Sequence, residues 1–257
     1  MTTERTERVI VSGATSGIGR AIAIRLASRA AVVGVMGRRE EAAREVAAQV
    51  EELGCKAEVL QADVSQPSAV EDAIGAFVAK YGGIDTVVSS AGIALTGLVN
   101  DFGLDAWDQM ISTNLSGTFY LAKYTLPELI KTRGTFTAIS SDAGTQGAQE
   151  FAAYCATKHG VNGLIKAMAL DYGASGVRCN AVCPGFVETP MADQLLDGMS
   201  TEEVDYYKKS VPLGRFARPE EVANVVAHLS STEAAYSHGM IYALDGGATS
   251  GYYSAPA

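Results

Sequence analysis

The chain lacks the long apolar runs of proteins that reside in membranes. Its 257 residues contain no stretch of about 18 uncharged apolar residues, the minimum for a membrane-spanning helix. The N-terminal sequence MTTERTER carries acids and lacks the apolar region of a secretory signal peptide. We therefore expect no membrane partner and a cytoplasmic location.

Cysteine and histidine are too few and too scattered for a metal site. The sequence has only three histidines, and its cysteines include no C-x-x-C pair: Cys55, Cys155, Cys179 and Cys183. No histidine lies close in sequence to the last two cysteines. We expect no metal ion and reduced thiols, as is usual in the cytoplasm.

Charged residues are also scarce, at 19% of the chain, and acids outnumber bases to give a net charge of −9. Nucleic-acid binding relies on basic surfaces, so we expect no nucleic-acid partner. An anionic cofactor is not excluded, because backbone amides and one or two basic groups can hold phosphate. With 47% hydrophobic residues, the composition predicts one folded domain over residues 1–257.

Short apolar runs alternate with longer segments of helical periodicity. The runs predict buried strands at Val9–Val11, Val32–Met36, Ala57–Leu60, Asp85–Ser89, Phe136–Ile139, Arg178–Val182 and Ile241–Leu244. Helices are predicted over Ile18–Arg29, Glu40–Leu53, Ser68–Tyr81, Trp107–Ile130 and Tyr154–Tyr172. This alternation indicates an α/β fold, in which helices cover both faces of a parallel sheet and the crossovers are right-handed.

Residues from about 186 to 210 interrupt the alternation. This segment is long, helical in character and partly apolar. Two interpretations stay open: a helical excursion on the surface, or a lid over a substrate pocket.

A glycine-rich loop follows the first predicted strand and opens the first helix: Gly13-Ala14-Thr15-Ser16-Gly17-Ile18-Gly19. Gly13 can make a tight turn, Gly17 lets the backbone approach a pyrophosphate, and Gly19 allows close helix–strand packing. The helix N-terminus offers free amides to phosphates. A glycine triplet also occurs in plain structural turns, but its place after an N-terminal strand favours a dinucleotide site.

Two arginines follow the second predicted strand, where dinucleotide-binding units often carry an acid. Gly37 precedes Arg38 and Arg39, and the first acid, Glu40, comes after them. A guanidinium can bind a ribose 2′-phosphate that a carboxylate would repel. We expect NADP(H), with NAD(H) as the alternative, and a shift toward NAD when Gly37 is exchanged for Asp. The alternative is that both arginines are solvated charges at a helix start.

A candidate acid–base pair lies on one predicted helix. Tyr154 and Lys158 are four residues apart and share a helix face. An ammonium beside a phenol stabilises the phenolate and lowers the phenol pKa toward neutral. Ser141 ends a predicted strand upstream and could orient a carbonyl, and Asn114 could hold a water; spacing alone assigns neither role.

In this order and spacing, these elements resemble the short-chain dehydrogenase/reductase family over essentially the whole chain. The matching elements are the glycine loop, Asp63-Val64, Ser90-Ala91-Gly92, Asn114, Ser141, Tyr154 with Lys158, Pro184-Gly185 with Thr189, and Asp245-Gly246-Gly247. The resemblance implies a Rossmann fold with seven parallel strands in the order 3-2-1-4-5-6-7. It also implies a homotetramer or dimer and chemistry without a metal.

The resemblance also implies a role for each site residue. Tyr154 would protonate the carbonyl oxygen, and Lys158 would lower the tyrosine pKa and bind the nicotinamide ribose. Ser141 would hold the carbonyl, and Asn114 would anchor a relay water. The implied cofactor contacts are Asp63 and Val64 at the adenine, Ala91 and Gly92 along the dinucleotide, and Pro184, Gly185, Val187 and Thr189 at the nicotinamide. Tyr154 and Lys158 are expected to contact the cofactor as well.

Three positions depart from the family pattern. Ser89-Ser90 stands in place of Asn-Asn, so the bracing of neighbouring strands must differ. Ser12 replaces a threonine and keeps a hydroxyl. Ala30 replaces a glycine after the first helix, which therefore must end without a left-handed residue there.

Three segments resemble those of bacterial polyketide ketoreductases and 3-hydroxyacyl dehydrogenases: Cys183–Ala192, Lys158-His159-Gly160 and Pro212–Phe216. The expected pocket walls, 93–98, 143–151 and 186–207, are mostly apolar, with Gln146, Gln149, Glu150 and Glu188 as polar exceptions. They offer no cation for a small carboxylate, which favours a neutral or bulky apolar or cyclic ketone. The alternatives are an NAD-dependent alcohol, dihydrodiol or 3-hydroxyacyl dehydrogenase and, more remotely, a catalytically silent dinucleotide-binding regulator.

Overall fold

The computed structural model describes residues 6–254, in which seven parallel strands form one sheet. The strands are β1 (Glu7–Ser12), β2 (Ala30–Gly37), β3 (Lys56–Gln61), β4 (Thr86–Ser89), β5 (Thr135–Ile139), β6 (Arg178–Pro184) and β7 (Ile241–Leu244). They lie in the order β3-β2-β1-β4-β5-β6-β7. The predicted α/β fold and strand order are confirmed, and all seven predicted strands are present within a few residues.

Helices connect the strands and cover both faces of the sheet. The α-helices are α1 (Gly17–Leu26), α2 (Glu40–Glu52), α3 (Pro67–Tyr81), α4 (Leu104–Met110), α5 (Gly117–Thr132), α6 (Ala152–Tyr172), α7 (Pro190–Leu196), α8 (Thr201–Ser210) and α9 (Pro219–Leu229). The segment predicted as one helix from Trp107 to Ile130 is α4, a π-helical turn over Ile111–Ser116, and α5. Within residues 6–254, no helix combines the length and apolarity needed to cross a bilayer.

Alternate residues of the strands feed two separate cores. Val9 and Val11 of β1 pack into a core with side chains of α1, α2 and α9, whereas Ile10 packs into a core with side chains of α3, α5 and α6. Successive strand residues point to opposite faces, so a central strand must be apolar throughout. This is why the strands appear in the sequence as continuous apolar runs.

The departures at Ser12, Ser89 and Ala30 have visible consequences. The hydroxyl of Ser12 accepts from the N–H groups of Ser90 and Ala91 at 3.2 and 3.4 Å, which ties β1 to the loop after β4. The hydroxyl of Ser89 pairs with that of Thr118 on α5 at 3.0 Å. Helix α1 ends at Leu26 with right-handed Ala27, and Ala30 already lies in β2, so the helix ends as the sequence required.

The strand order places a crevice at one edge of the sheet. Connections leave β1 and β4 in opposite directions, because β2 and β3 lie on one side of β1 and β5 to β7 lie on the other. In open parallel sheets, ligands bind outside the carboxyl ends of the strands at such a point. The loops that follow β1, β4, β5 and β6 meet there.

Candidate active site

A pocket of about 1160 Å³ occupies this crevice. It is lined by residues that directly follow four strands, including Gly13, Ser90, Ser140 and Gly185. Nearly all the predicted site residues line it: Gly13, Thr15, Ser16, Gly17, Ile18, Gly19, Arg38, Arg39, Asp63, Val64, Ala91, Gly92, Ser141, Tyr154, Lys158, Pro184, Gly185, Val187 and Thr189. Asn114 is the exception and lies behind the wall.

The glycine loop presents backbone amides to the pocket. Gly13 has φ +65°, and a Cβ there would lie 2.6 Å from the backbone of Ala91, so the two loops touch main chain to main chain. Ser16 stands at the N-cap of α1, but its side chain makes no capping hydrogen bond. The first amides of α1 are thus left for a phosphate, which fits the pyrophosphate of a dinucleotide.

Arg38 follows β2 and lines the pocket beside Asp63. Its guanidinium lies 3.8 Å from the Asp63 carboxylate, and 61% of its side chain is exposed. Solvent screening makes such a pair weak, so the guanidinium can turn to a phosphate at little cost. A Cβ on Gly37, by contrast, would run into the side chain of Thr15. The donors present fit a ribose 2′-phosphate.

Tyr154 lies in the first turn of α6, half-buried in the pocket wall against the ring of Phe151. Burial raises the pKa of Tyr154 to about 12, although a hydrogen bond with Ser141 acts to lower it. A phenol with this pKa keeps its proton at neutral pH and is a weak acid.

Lys158 follows one helical turn later and is buried. Its ammonium donates to the Ile139 carbonyl at 2.9 Å and lies 5.5 Å from the centre of the Tyr154 ring. Burial lowers the pKa of Lys158 to about 8. The sequence led us to expect a depressed tyrosine pKa, but in this structure desolvation outweighs every favourable contact of the phenol.

Ser141 begins a short turn after β5, and its hydroxyl is hydrogen-bonded to the side chain of the next residue, Asp142. The Ser141 hydroxyl donates to Oδ1 of Asp142 at 2.8 Å, and the Ala143 N–H donates to the same oxygen at 2.7 Å. Burial raises the pKa of Asp142, and these two hydrogen bonds oppose the rise. Sequence reasoning missed Asp142, although an acid at the start of a turn after a strand is a recognisable signal.

Asn114 lies in the π-helical turn, where the N–H of Gly117 bonds to the carbonyl of Ser112. Its side-chain oxygen accepts from the N–H of Ile93 at 2.8 Å, and its nitrogen donates to the Ile93 carbonyl at 2.9 Å and to Thr157 at 3.2 Å. The amide expected to hold a water therefore already has protein partners at both ends. It fixes the loop that forms one pocket wall.

A second polar residue of α6, missed in the sequence, holds the turn that carries Ser141. The amide nitrogen of Asn162 donates to the Gly144 carbonyl at 2.8 Å, and its oxygen lies 3.7 Å from the Cys183 sulfur. The hydroxyl of Ser140 donates to the main-chain carbonyl of Lys158 at 3.2 Å. These buried contacts lock β5, β6 and α6 together.

The expected pocket walls are present, but their polar members differ. Ile93, Phe151 and Met191 line the pocket, as do other apolar residues of the three expected segments. The lining does not include the four expected polar exceptions, Gln146, Gln149, Glu150 and Glu188; Asp142, Gln109, Thr113 and Gln194 line it instead.

Part of the 186–210 segment forms one side of the pocket. Pro190 to Leu195, in α7, contribute to the lining, whereas α8 has no buried residue. The ring of Phe186 lies between those of Tyr207 and Phe216, with centroids 5.8 and 5.2 Å away. This aromatic contact joins the end of α8 to the pocket wall.

Comparison with known proteins assigns the family. A family model described as enoyl-(acyl carrier protein) reductase matches residues 13–249, which hold the glycine loop, Ser141, Tyr154 and Lys158. The chain belongs to the short-chain dehydrogenase/reductase family. It is therefore an oxidoreductase, and both the expected resemblance and the expected enzyme class are confirmed.

Similar members of the family are named for alcohols and ketones. A 3β-hydroxysteroid dehydrogenase of Mediterraneibacter gnavus and a meso-2,3-butanediol dehydrogenase of Serratia marcescens are each 37% identical over 94% of this chain and 94% of their own length. A crystal structure of an actinorhodin polyketide ketoreductase with NADPH has a TM-score of 0.91 at 36% identity, covering 96% of this chain and 99% of that chain. Relatives of this short-chain dehydrogenase/reductase thus act on alcohols or ketones.

Proposed function

We propose that the protein is an NADP(H)-dependent oxidoreductase that reduces a ketone to a secondary alcohol, or catalyses the reverse reaction. The observation that carries the proposal is that Tyr154 and Ser141 line the same pocket as the glycine loop and Arg38. A substrate in this pocket could then reach both the proton donor and a dinucleotide bound at the loop. The names of the relatives repeatedly describe ketone reduction or alcohol oxidation, and this supports such a reaction for the present chain.

The dinucleotide supplies the hydride that reduces the carbonyl carbon. The amides from Gly13 to Gly19 would hold its pyrophosphate, Arg38 and Arg39 the 2′-phosphate, and Lys158 the nicotinamide ribose. The remaining contacts would come from Asp63 and Val64 at the adenine and from Ala91, Gly92, Pro184, Gly185, Val187 and Thr189 along the nicotinamide half.

The proton comes from Tyr154. In reduction, its hydroxyl gives the proton to the carbonyl oxygen, and the Lys158 ammonium stabilises the phenolate that remains. The Ser141 hydroxyl turns from Asp142 to donate to the same carbonyl oxygen. In oxidation the phenolate takes the proton back. Asn114 holds the pocket wall through Ile93. The relay water that the resemblance implies near Asn114 would resupply the proton.

The substrate we propose is a neutral or bulky ketone, apolar or cyclic. Ile93, Leu95, Phe151, Met191 and Leu195 give the pocket apolar walls. In the described part of the chain, its cationic lining residues are Arg38, Arg39 and Lys158. The arginines belong to the cofactor in this proposal and Lys158 is buried, so a substrate carboxylate would have no partner.

Three further features belong to this proposal. Residues 186–210 act as a lid, since α7 lines the pocket and α8 is exposed. The chain forms a homotetramer, or else a dimer, in the cytoplasm. Sedimentation analysis tests the assembly, and a monomer at micromolar concentration would contradict it.

The test is a panel of ketones and alcohols assayed with NADPH and NADH, and with their oxidised forms for the alcohols. We expect turnover of cyclic or aryl ketones with NADPH and a preference for NADPH over NADH. Strong activity on acetoacetate with none on cyclic or aryl ketones would contradict the substrate class. Tight NADPH binding without turnover of any substrate would favour a silent regulator.

A further inference from the structure

The carboxyl group of Asp142 lies in the pocket wall directly beside Ser141. The Ala143 N–H donates to Oδ1 of its carboxylate at 2.7 Å, and this bond remains when the Ser141 hydroxyl, which donates to the same oxygen at 2.8 Å, turns to a substrate. The side chain is only partly buried and contributes to the pocket lining. The carboxylate is therefore held still next to the hydroxyl that would bind the substrate carbonyl.

A second carboxylate, that of Asp245, interacts electrostatically with Asp142. Asp245 follows β7 and lies near enough to help raise the pKa of Asp142. Burial opposes its charge, but hydrogen bonds from Thr249 and Gly247 hold the pKa of Asp245 below its usual range. Asp245 thus stays ionised and adds to the negative potential at this end of the pocket.

The charges along the pocket are arranged unevenly. Arg38 and Arg39 follow β2 and suit an anionic cofactor, whereas Asp142 follows β5, which lies three strands further along the sheet. Lys158 also lines the pocket, but it is buried and its ammonium donates to the Ile139 carbonyl. Among residues 6–254, the pocket lining therefore offers an anionic group near Ser141 a carboxylate and no free cation.

We propose that Asp142 makes the enzyme select against ketones that carry a carboxylate close to the carbonyl. This rests on the proposed function, in which the ketone oxygen binds at Ser141 and Tyr154. Because the Ser141 hydroxyl lies 2.8 Å from Oδ1 of Asp142, a carboxylate two bonds from a carbonyl held by that hydroxyl would lie close to the Asp142 carboxylate. Like charges at about 6 Å in a partly solvated site weaken binding roughly ten- to a hundredfold.

The experiment compares a 3-keto ester with its 3-keto acid, ethyl acetoacetate with acetoacetate, as kcat/KM with NADPH at neutral pH. The Asp142→Asn variant keeps an oxygen that accepts from Ser141 and Ala143 and removes only the charge. The ratio of ester to acid is the readout, because it cancels any effect on Ser141 that both substrates share. Glu150→Gln is the control, since Glu150 is an exposed carboxylate outside the lining.

We expect the ratio to fall roughly ten- to a hundredfold in Asp142→Asn and to stay constant in Glu150→Gln. An unchanged ratio in Asp142→Asn, an equal fall in Glu150→Gln, or a wild type that prefers the acid would overturn the proposal. Asp142→Ser serves as a second uncharged variant, with thermal melting and NADPH binding as checks of folding. An enzyme that turns over no ketone at all would instead refute the proposed function, whatever residue stands at 142.

Discussion

The Nζ atom of Lys158 lies 5.5 Å from the centre of the Tyr154 ring and donates to the main-chain carbonyl of Ile139 at 2.9 Å. The ammonium thus lies near the phenol, but its hydrogen bond goes to the carbonyl of Ile139. Burial acts on the two groups in opposite directions, because it favours the neutral form of each. It raises the pKa of Tyr154 to about 12 and lowers that of Lys158 to about 8.

Replacing Tyr154 by Phe removes the proposed acid with little change in volume. We expect kcat for ketone reduction to fall roughly 10²- to 10⁴-fold, the usual contribution of a general acid. NADPH binding, followed by protein fluorescence, should change little because the glycine loop and Arg38 are untouched. Equal turnover in the wild type and Tyr154→Phe would remove Tyr154 from the mechanism.

The pH dependence of reduction should report Lys158. With a pKa of about 12, Tyr154 keeps its proton throughout the ordinary assay range. Lys158, with a pKa of about 8, loses its proton as the pH rises through that value, and the forming phenolate then loses its nearby positive charge. We expect kcat/KM to be level below pH 8 and to decline above it.

The variant Lys158→Arg checks this assignment. An arginine stays charged at all practical pH values, so the decline should move to higher pH even if the rate is lower overall. A wild-type profile that stays level up to about pH 10 would show that Lys158 does not control the reaction.

Cofactor preference should depend on Arg38. Arg38→Gln removes a guanidinium that can make two charge-assisted hydrogen bonds to a 2′-phosphate, so kcat/KM for NADPH should fall roughly 10- to 100-fold. NADH is the internal control, because it lacks that phosphate and its kcat/KM should change little. A parallel fall with both cofactors would point to a structural role for Arg38.

Gly37→Asp, which the sequence suggested for the same purpose, is a poorer test. Its Cβ would collide with the side chain of Thr15, which belongs to the glycine loop. Loss of activity in that variant would then reflect a displaced loop and not a change of cofactor.

Arg178 should be important for stability. Its guanidinium donates to four main-chain carbonyls, those of Leu229, Ser231, Ala234 and Ser237, at 2.7 to 3.3 Å. Arg178→Leu leaves these acceptors without the donor and should lower the free energy of unfolding by about 2–4 kcal/mol in urea titrations.

Arg44→Leu is the matched control for that experiment. Arg44 pairs with Glu40 on the exposed face of α2, with 67% of its side chain accessible. Its loss should cost no more than about 0.5 kcal/mol. Similar losses in both variants would mean that the carbonyl contacts of Arg178 add nothing.

The amino-acid pattern was enough to predict the strands, the glycine loop and the Tyr154–Lys158 pair, and the family resemblance predicted the strand order. Each of these features depends on a short segment of sequence. Apolar runs predict buried strands, and a four-residue spacing places two side chains on one helix face. A glycine is needed at position 13, where the backbone touches that of Ala91.

The surroundings of those residues became known from the folded chain. It showed Asn114 bonded to Ile93, Lys158 bonded to Ile139, and Asp142 among the polar residues that line the wall in place of the expected ones. It also decided the pKa of Tyr154, since desolvation depends on how closely segments distant in the chain pack around the phenol. Distances and burial of this kind arise from the packing of the whole chain, and no local pattern encodes them.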